Sequence, residues 1–177
     1  MGAILVVCAS PSAHSSTRAV LEEFVMPRLA GHGHDTAWLS VRDLPATSLM
    51  AADATAPAVR RAVDELAAAD GVVIGTPVYK ASFSGLLKVF LDLLPRDALD
   101  GKSVLPLATG SSPQHGLALD HALPPVLNSM GARHVLSGCY VTVRELGTPA
   151  TAVSALESAA DRLHASVCAV PAGAHAR

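Results

Sequence analysis

The sequence predicts an α/β fold, a parallel sheet with helices on both faces. Three observations predict it. Uninterrupted apolar runs recur, as at residues 3–9 and 72–76, and such runs suit strands buried on both faces. Each run ends in a turn of glycine, proline, serine or threonine, followed by a stretch with helical apolar spacing. This alternation fills the chain without an internal repeat, which is the pattern of βαβ units in three layers.

The elements follow in order. Residues 3–9 form the first strand. A hydroxyl-rich loop, Ser10-Pro11-Ser12-Ala13-His14-Ser15-Ser16-Thr17-Arg18, leads into a helix over 17–30 with an apolar stripe of Val20, Leu21, Phe24, Val25 and Leu29. Pro27 is expected to kink its last turns, and Gly31 and Gly33 end it. A second strand spans 36–41, with Trp38, and 42–56 reads as a loop. Pro57 opens a helix that continues through Val59, Val63 and Leu66 to Asp70-Gly71.

The third strand is 72–76. It runs into Thr76-Pro77-Val78-Tyr79-Lys80-Ala81-Ser82-Phe83-Ser84-Gly85, around which the chain is organised. Pro77 stiffens this turn, and Gly85 permits close backbone approach. The helix over 86–94 is apolar nearly all round, broken only by Lys88 and Asp92. That excess predicts contact with another subunit through Leu87, Phe90 and Leu91. After a turn at 95–102 comes a fourth strand, 104–109, containing Pro106. A helix over 114–130 should be distorted by Pro124-Pro125. A fifth strand (135–143), a linker (147–149) and a last helix (151–170) complete one domain, with a frayed tail from 171 to 177.

The bulk numbers limit the partners. The chain has 177 residues, 50% of them hydrophobic, 16% charged and 3% aromatic, with a net charge of -2. That length suits one domain with a full core. No basic cluster points to nucleic acid, and no apolar run has the length of a membrane span. The start reads as a strand, not an export leader. Cys8, Cys139 and Cys168 are scattered and odd in number. They read as small buried hydrophobes and favour a cytoplasmic location.

Chemistry is expected where strands end, because ligands of open α/β sheets bind at the carboxyl edge. The first loop has neither the dinucleotide nor the nucleotide-phosphate glycine pattern. It offers Ser10, Ser12, Ser15, Ser16 and Thr17 beside a helix start, where unpaired N–H groups and the helix dipole favour an anion. Arg18 is expected to add charge. This set suits a single terminal phosphate. The turns at Pro77–Ser84 and Thr109–Ser112 lie at other strand ends and share the same edge if the sheet is parallel. No GxSxG elbow or HExxH spacing is present. His32 and His34 flank Gly33 and read as solvated turn histidines.

These stretches resemble a known family. The 76–85 segment, Leu87-Lys88, Leu91-Asp92-Leu93-Leu94-Pro95 and Leu105-Pro106-Leu107-Ala108-Thr109-Gly110 are similar to the NAD(P)H-dependent FMN reductases. The nearest resemblance is to the flavin reductase component of two-component alkanesulfonate monooxygenase systems. It covers residues 10–130 and fades beyond Val143.

The resemblance implies a flavodoxin-like sheet of order 2-1-3-4-5 and hydride transfer from NAD(P)H to FMN. It implies phosphate binding at Ser10, Ser15, Ser16 and Thr17; where the family often has arginine, this chain has Ser12. It places Pro77, Val78, Tyr79 and Lys80 along one side of the flavin and Thr109, Gly110 and Ser111 along the other. It further implies a homodimer or homotetramer, with a π-bulge at an interface near 119–123, where His121 stands, and a monooxygenase that receives reduced flavin. No residue is assigned a catalytic role, because the cofactors carry the hydride chemistry. The scarcity of aromatic residues to clamp a flavin predicts that FMN is exchanged rather than retained. The rival readings are a quinone or azo reductase that keeps its FMN, and a non-enzymatic flavodoxin-like carrier.

Overall fold

The computed structural model describes residues 2–132, 134–147 and 149–169. The expected tail from 171 lies outside the described residues. Strands β1 (Ala3–Cys8), β2 (Asp35–Ser40), β3 (Gly71–Tyr79) and β5 (Ser103–Gly110) run parallel in the order β2-β1-β3-β5. Two short strands, β6 (His134–Val135) and β7 (Cys139–Thr142), both pair in parallel with the outer side of β5. β4 (Ser82–Phe83) folds back antiparallel on the end of β3. The predicted order 2-1-3-4-5 therefore holds, with the fifth strand split in two.

Strand alternation sorts the apolar side chains onto two faces. Ile4, Val6 and Cys8 of β1 face one cluster; Leu5, Val7 and Ala9 face the other. The first cluster is closed by α1 (Ser16–Val20), α2 (Met26–Gly31) and the long α7 (Pro149–Ala169). The second is closed by α3 (Ala46–Met50), α4 (Pro57–Ala68), α5 (Gly85–Leu91) and α6 (Leu123–Ser129). The segment 42–56, expected as a loop, contains α3, which seats Leu49 in the core. The buried Lys102, in an expected turn, donates from Nζ to the carbonyls of Ala67 (2.9 Å) and Ala69 (2.6 Å), satisfying the end of α4.

Each proline in the sheet has a physical excuse. Along β5, Val104 and Gly110 accept hydrogen bonds from Leu136 and Val143. By period two, Pro106 faces the same side. It falls between the residues paired with β6 and those paired with β7, so no ladder bond is lost. Pro77 faces the β1 side of β3, where pairing ends at Cys8 with Gly75.

The helix prolines act alike. α1 and α2 are joined by a π-helical turn, Leu21–Val25, closed by Met26 N–H on the Leu21 carbonyl, with Pro27 just beyond. A second π turn, Ala118–Ala122, is closed by Leu123 N–H on Ala118 and precedes Pro124-Pro125. Widening the turn before a proline relieves the ring's clash with the preceding carbonyls. The second π turn contains His121 and lies where the resemblance implies one.

The apolar excess of α5 is used internally. Leu87, Phe90 and Leu91 are buried in the chain's own core, at 0%, 1% and 5% exposure. Their expected role as subunit contacts is therefore corrected: α3 and the 3₁₀ turn at Val41–Asp43 pack against α5 and take up its second side. His121 is exposed.

Phe90→Ala should therefore lower monomer stability by about 3–5 kcal/mol, read from denaturant unfolding, without a specific loss of oligomer. A second expectation concerns Asp161 on α7. It accepts from Arg28 Nε (2.7 Å) and from a second guanidinium nitrogen (2.8 Å), and pairs with His32 Nε2 (2.6 Å). Those hydrogen bonds hold its carboxyl well below the usual range. A depressed folded-state pKa gives stability that is present at neutral pH and fades as pH falls below about 4. Asp161→Asn should cost no more than about 1 kcal/mol at neutral pH, since the pair is partly solvated, and the difference should vanish in acid titrations of unfolding.

Candidate functional site

Parallel registry sets β1, β3 and β5 to end on one edge. Cys8 lies beside Gly75, Gly75 beside Leu107, and Pro77 beside Thr109. The loops that follow enclose a cleft of about 320 Å³. Its walls include Ser10, Ser12, Ser15, Ser16 and Thr17 from the first loop, Pro77, Val78 and Tyr79 from the second, and Thr109, Gly110 and Ser111 from the third. Eleven of the twelve residues singled out from the sequence thus meet in one place. Lys80 does not line it. His14 and Val143 do.

The first loop braces itself. Ser15 caps α1, its Oγ accepting from Arg18 N–H at 3.1 Å. Ser12 Oγ donates to the His14 carbonyl at 3.0 Å. Gly75 lets the helix approach β3: a Cβ there would lie 2.6 Å from Leu21 Cδ1 and 3.2 Å from Thr17 Cγ2. That closeness brings Thr17 Oγ1 to 2.7 Å from Thr109 Oγ1, a buried link between the first and third loops.

The second loop is a hairpin rather than an open turn. Lys80 (φ 51°) and Ala81 (φ 60°) are the two central residues between Tyr79 and Ser82. Both carry positive φ without being glycine, a strained arrangement of the kind found at functional sites. The hairpin aims Tyr79 into the cleft with 48% of its surface exposed and leaves Lys80 outside. Ser84 anchors the hairpin. Its N–H donates to Thr76 Oγ1 (2.9 Å), its hydroxyl donates to the Ala9 carbonyl (2.7 Å), and the same oxygen caps α5 through Leu87 N–H (3.1 Å).

The third loop is crowded. A Cβ on Gly110 would lie 2.5 Å from the Tyr140 hydroxyl and 3.3 Å from His115 Nδ1. Tyr140 donates to the Ser112 carbonyl at 2.7 Å, and burial raises its phenol pKa. His115 Nδ1 is buried and without a protein partner among the described residues. Thr142 N–H and Oγ1 both donate to Glu145, at 2.7 Å, and hold that carboxyl below its usual range. Sequence reading missed His115, Tyr140 and Glu145, because nothing local marks them. Arg42, which donates to the Pro11 carbonyl at 3.3 Å, was likewise hidden by 31 residues of separation.

The electrostatics differ from expectation at Arg18. Its guanidinium pairs with Glu22 at 2.8 Å and stands 5.6 Å from the Trp38 ring centroid, so it adds no charge to the cleft. No Lys or Arg is among the lining residues. The donors are neutral hydroxyls, together with the first-turn amides of α1, which lack intrahelical partners. That donor set fits one phosphomonoester, held by hydrogen bonds and the helix dipole. Cys8 and Cys139 are buried, and burial pushes the Cys139 thiol up to about 11, so neither offers a thiolate. No helix among the described residues is long and apolar enough to cross a membrane.

Comparison with known proteins agrees with this geometry. Residues 3–145 match the family model described as NADPH-dependent FMN reductase. An "FMN reductase (NADPH)" of Pseudomonas putida is 44% identical over 163 residues, 89% of this chain and 81% of that protein. An "NADH-dependent FMN reductase SfnF" of Pseudomonas putida is 30% identical, over 79% of this chain and 77% of its own. Among solved structures, an NADH:FMN oxidoreductase in its apo form superposes with a TM-score of 0.90 at 38% identity, covering 97% of this chain and 92% of that one. By its sheet order, its three-loop cleft and these matches, the chain belongs to the NADPH-dependent FMN reductase family and is a flavodoxin-like NAD(P)H-dependent oxidoreductase.

Proposed function

We propose that the cleft binds FMN as an exchangeable substrate, that NAD(P)H reduces it there, and that the reduced flavin leaves for a separate monooxygenase. One observation carries this reading: a hydroxyl-rich loop at a helix start, the Tyr79 hairpin and the Thr109–Ser111 turn share one open cleft. Ser10, Ser12, Ser15, Ser16 and Thr17 hold the phosphate. Pro77, Val78 and Tyr79 border the ring on one side, and Thr109, Gly110 and Ser111 on the other. Bound FMN supplies the ring that accepts hydride from the nicotinamide. The protein's part is to orient the two partners at reacting distance.

Release is favoured by what the cleft lacks. Tyr79 is the one Phe, Tyr or Trp among its lining residues, and none of them is Lys or Arg. Homo-oligomerisation through the π turn at His121 is part of the same proposal, supported by the exposure of His121 and of Leu117 beside it. A cytoplasmic location is supported by the three free thiols at Cys8, Cys139 and Cys168.

Steady-state oxidation of NADPH and NADH tests the reading. Dialysed protein should turn over only when FMN is added, with saturable dependence on flavin, and should drive an FMN-dependent monooxygenase that has no reductase of its own. A stoichiometric yellow protein that survives dialysis and needs a quinone for turnover would defeat it. Gly110→Ala pushes a methyl group against Tyr140. It should raise the KM for FMN by about ten-fold or more, the scale of an overpacked contact, with a smaller change in kcat.

A further inference from the structure

The two turn histidines that read as solvated do not stand alone. His34 is buried at the start of β2, on the edge of the sheet opposite the cleft. Its Nδ1 lies 3.1 Å from the Gly2 carbonyl. The Gly2 N–H also lies 3.3 Å from this nitrogen; with the proton on Nδ1 and donated to the nearer carbonyl, the Nε2 lone pair is free, the arrangement by which a backbone carbonyl orients a metal-binding imidazole. Nε2 lies 3.0 Å from His164 Nδ1. His164 Nδ1 in turn lies 3.7 Å from Cys168 Sγ. His164 and Cys168 are four residues apart on α7, so both project from one face. The three donor atoms all lie within 4.8 Å of one another.

The two separations, 3.0 Å and 3.7 Å, are close to those around one small ion. With Zn–N near 2.05 Å and Zn–S near 2.3 Å, tetrahedral ligand atoms sit roughly 3.3–3.6 Å apart. The surroundings keep the ligands in place. His32 stacks on His164, with ring centroids 4.1 Å apart and planes at 8°, and is itself fixed by Asp161 at 2.6 Å. Cys168 is exposed and gives the ion a way in.

We propose that His34 Nε2, His164 Nδ1 and Cys168 Sγ form a zinc(II) site that clasps α7 to the edge of the sheet, with water as fourth ligand. Binding at His164 Nδ1 leaves that ring's single proton on Nε2 and displaces the Cys168 thiol proton, so one proton is released to solvent. The site lies away from the flavin cleft, and its test is independent of the reductase reading.

The experiment uses the full chain, stripped with chelator and dialysed against zinc chloride, and then cobalt(II) as a spectroscopic probe. The expected result is one zinc per chain, a thiolate-to-cobalt charge-transfer band with the intense visible bands of four-coordinate cobalt, and a thermal midpoint raised by zinc. Cys168→Ser should abolish the charge-transfer band. Both Cys168→Ser and His164→Gln should weaken zinc binding more than about ten-fold, while their metal-free midpoints stay near that of the parent. Cys168 is exposed, so its variant reads the ligand rather than the fold. Absence of stoichiometric zinc, absence of the charge-transfer band, or unchanged affinity in either variant would overturn the proposal.

Discussion

The cleft depends on one buried hydroxyl. Ser84 is 1% exposed; its hydroxyl bonds to Ala9, just past β1, and to Leu87 in the first turn of α5, and its N–H bonds to Thr76 within β3. It therefore sets the height of the first loop against the second. A buried hydroxyl and carbonyl with these partners are satisfied; without them both are stranded, which costs about 1–3 kcal/mol for each unpaired group. Thr17 and Thr109 make the equivalent link from the first loop to the third. Two small hydrogen-bonded joints thus turn three independent loops into one surface.

Above those joints the chain accepts irregularity wherever it re-aims the backbone. The type of turn at Lys80-Ala81 is normally built from glycine and asparagine, yet neither is present. The turn is held by the pairing of β4 with β3 and by the Ser84–Thr76 bond, and the result is an exposed Tyr79 at the cleft. The split between β6 and β7 and the two π turns are similar accommodations. Each lies beside a proline that regular structure would exclude, and each accommodates a residue with no N–H to donate.

The charge pattern of the site bears on what an FMN reductase of this kind does with its flavin. A guanidinium in the first loop would add a charge-assisted bond to a phosphate, roughly twice as strong as a neutral one. Here Ser12 occupies the expected arginine place, and Arg18 is turned to Glu22 and Trp38. Arg42 approaches the loop but spends its donor on the Pro11 carbonyl. Hydroxyls and helix amides remain, which suits a ligand that comes and goes.

Much of this was readable in the residues. Apolar runs of the right length and the polar turns after them located every strand of the parallel sheet, and hydroxyls clustered before a helix marked the first loop. Those are local signals, set by burial, capping and chain direction. The sequence by itself determined the parallel α/β order of elements and which three loops carry the cleft, because strand direction alone puts those loops on one edge. Only the tertiary structure decided that Arg18 turns away, that Leu87, Phe90 and Leu91 face inward, and that His34, His164 and Cys168 meet. The last of these joins groups 130 residues apart, and the first two depend on Trp38 and on the Val41–Met50 segment packing back against their helices, contacts that no local pattern records.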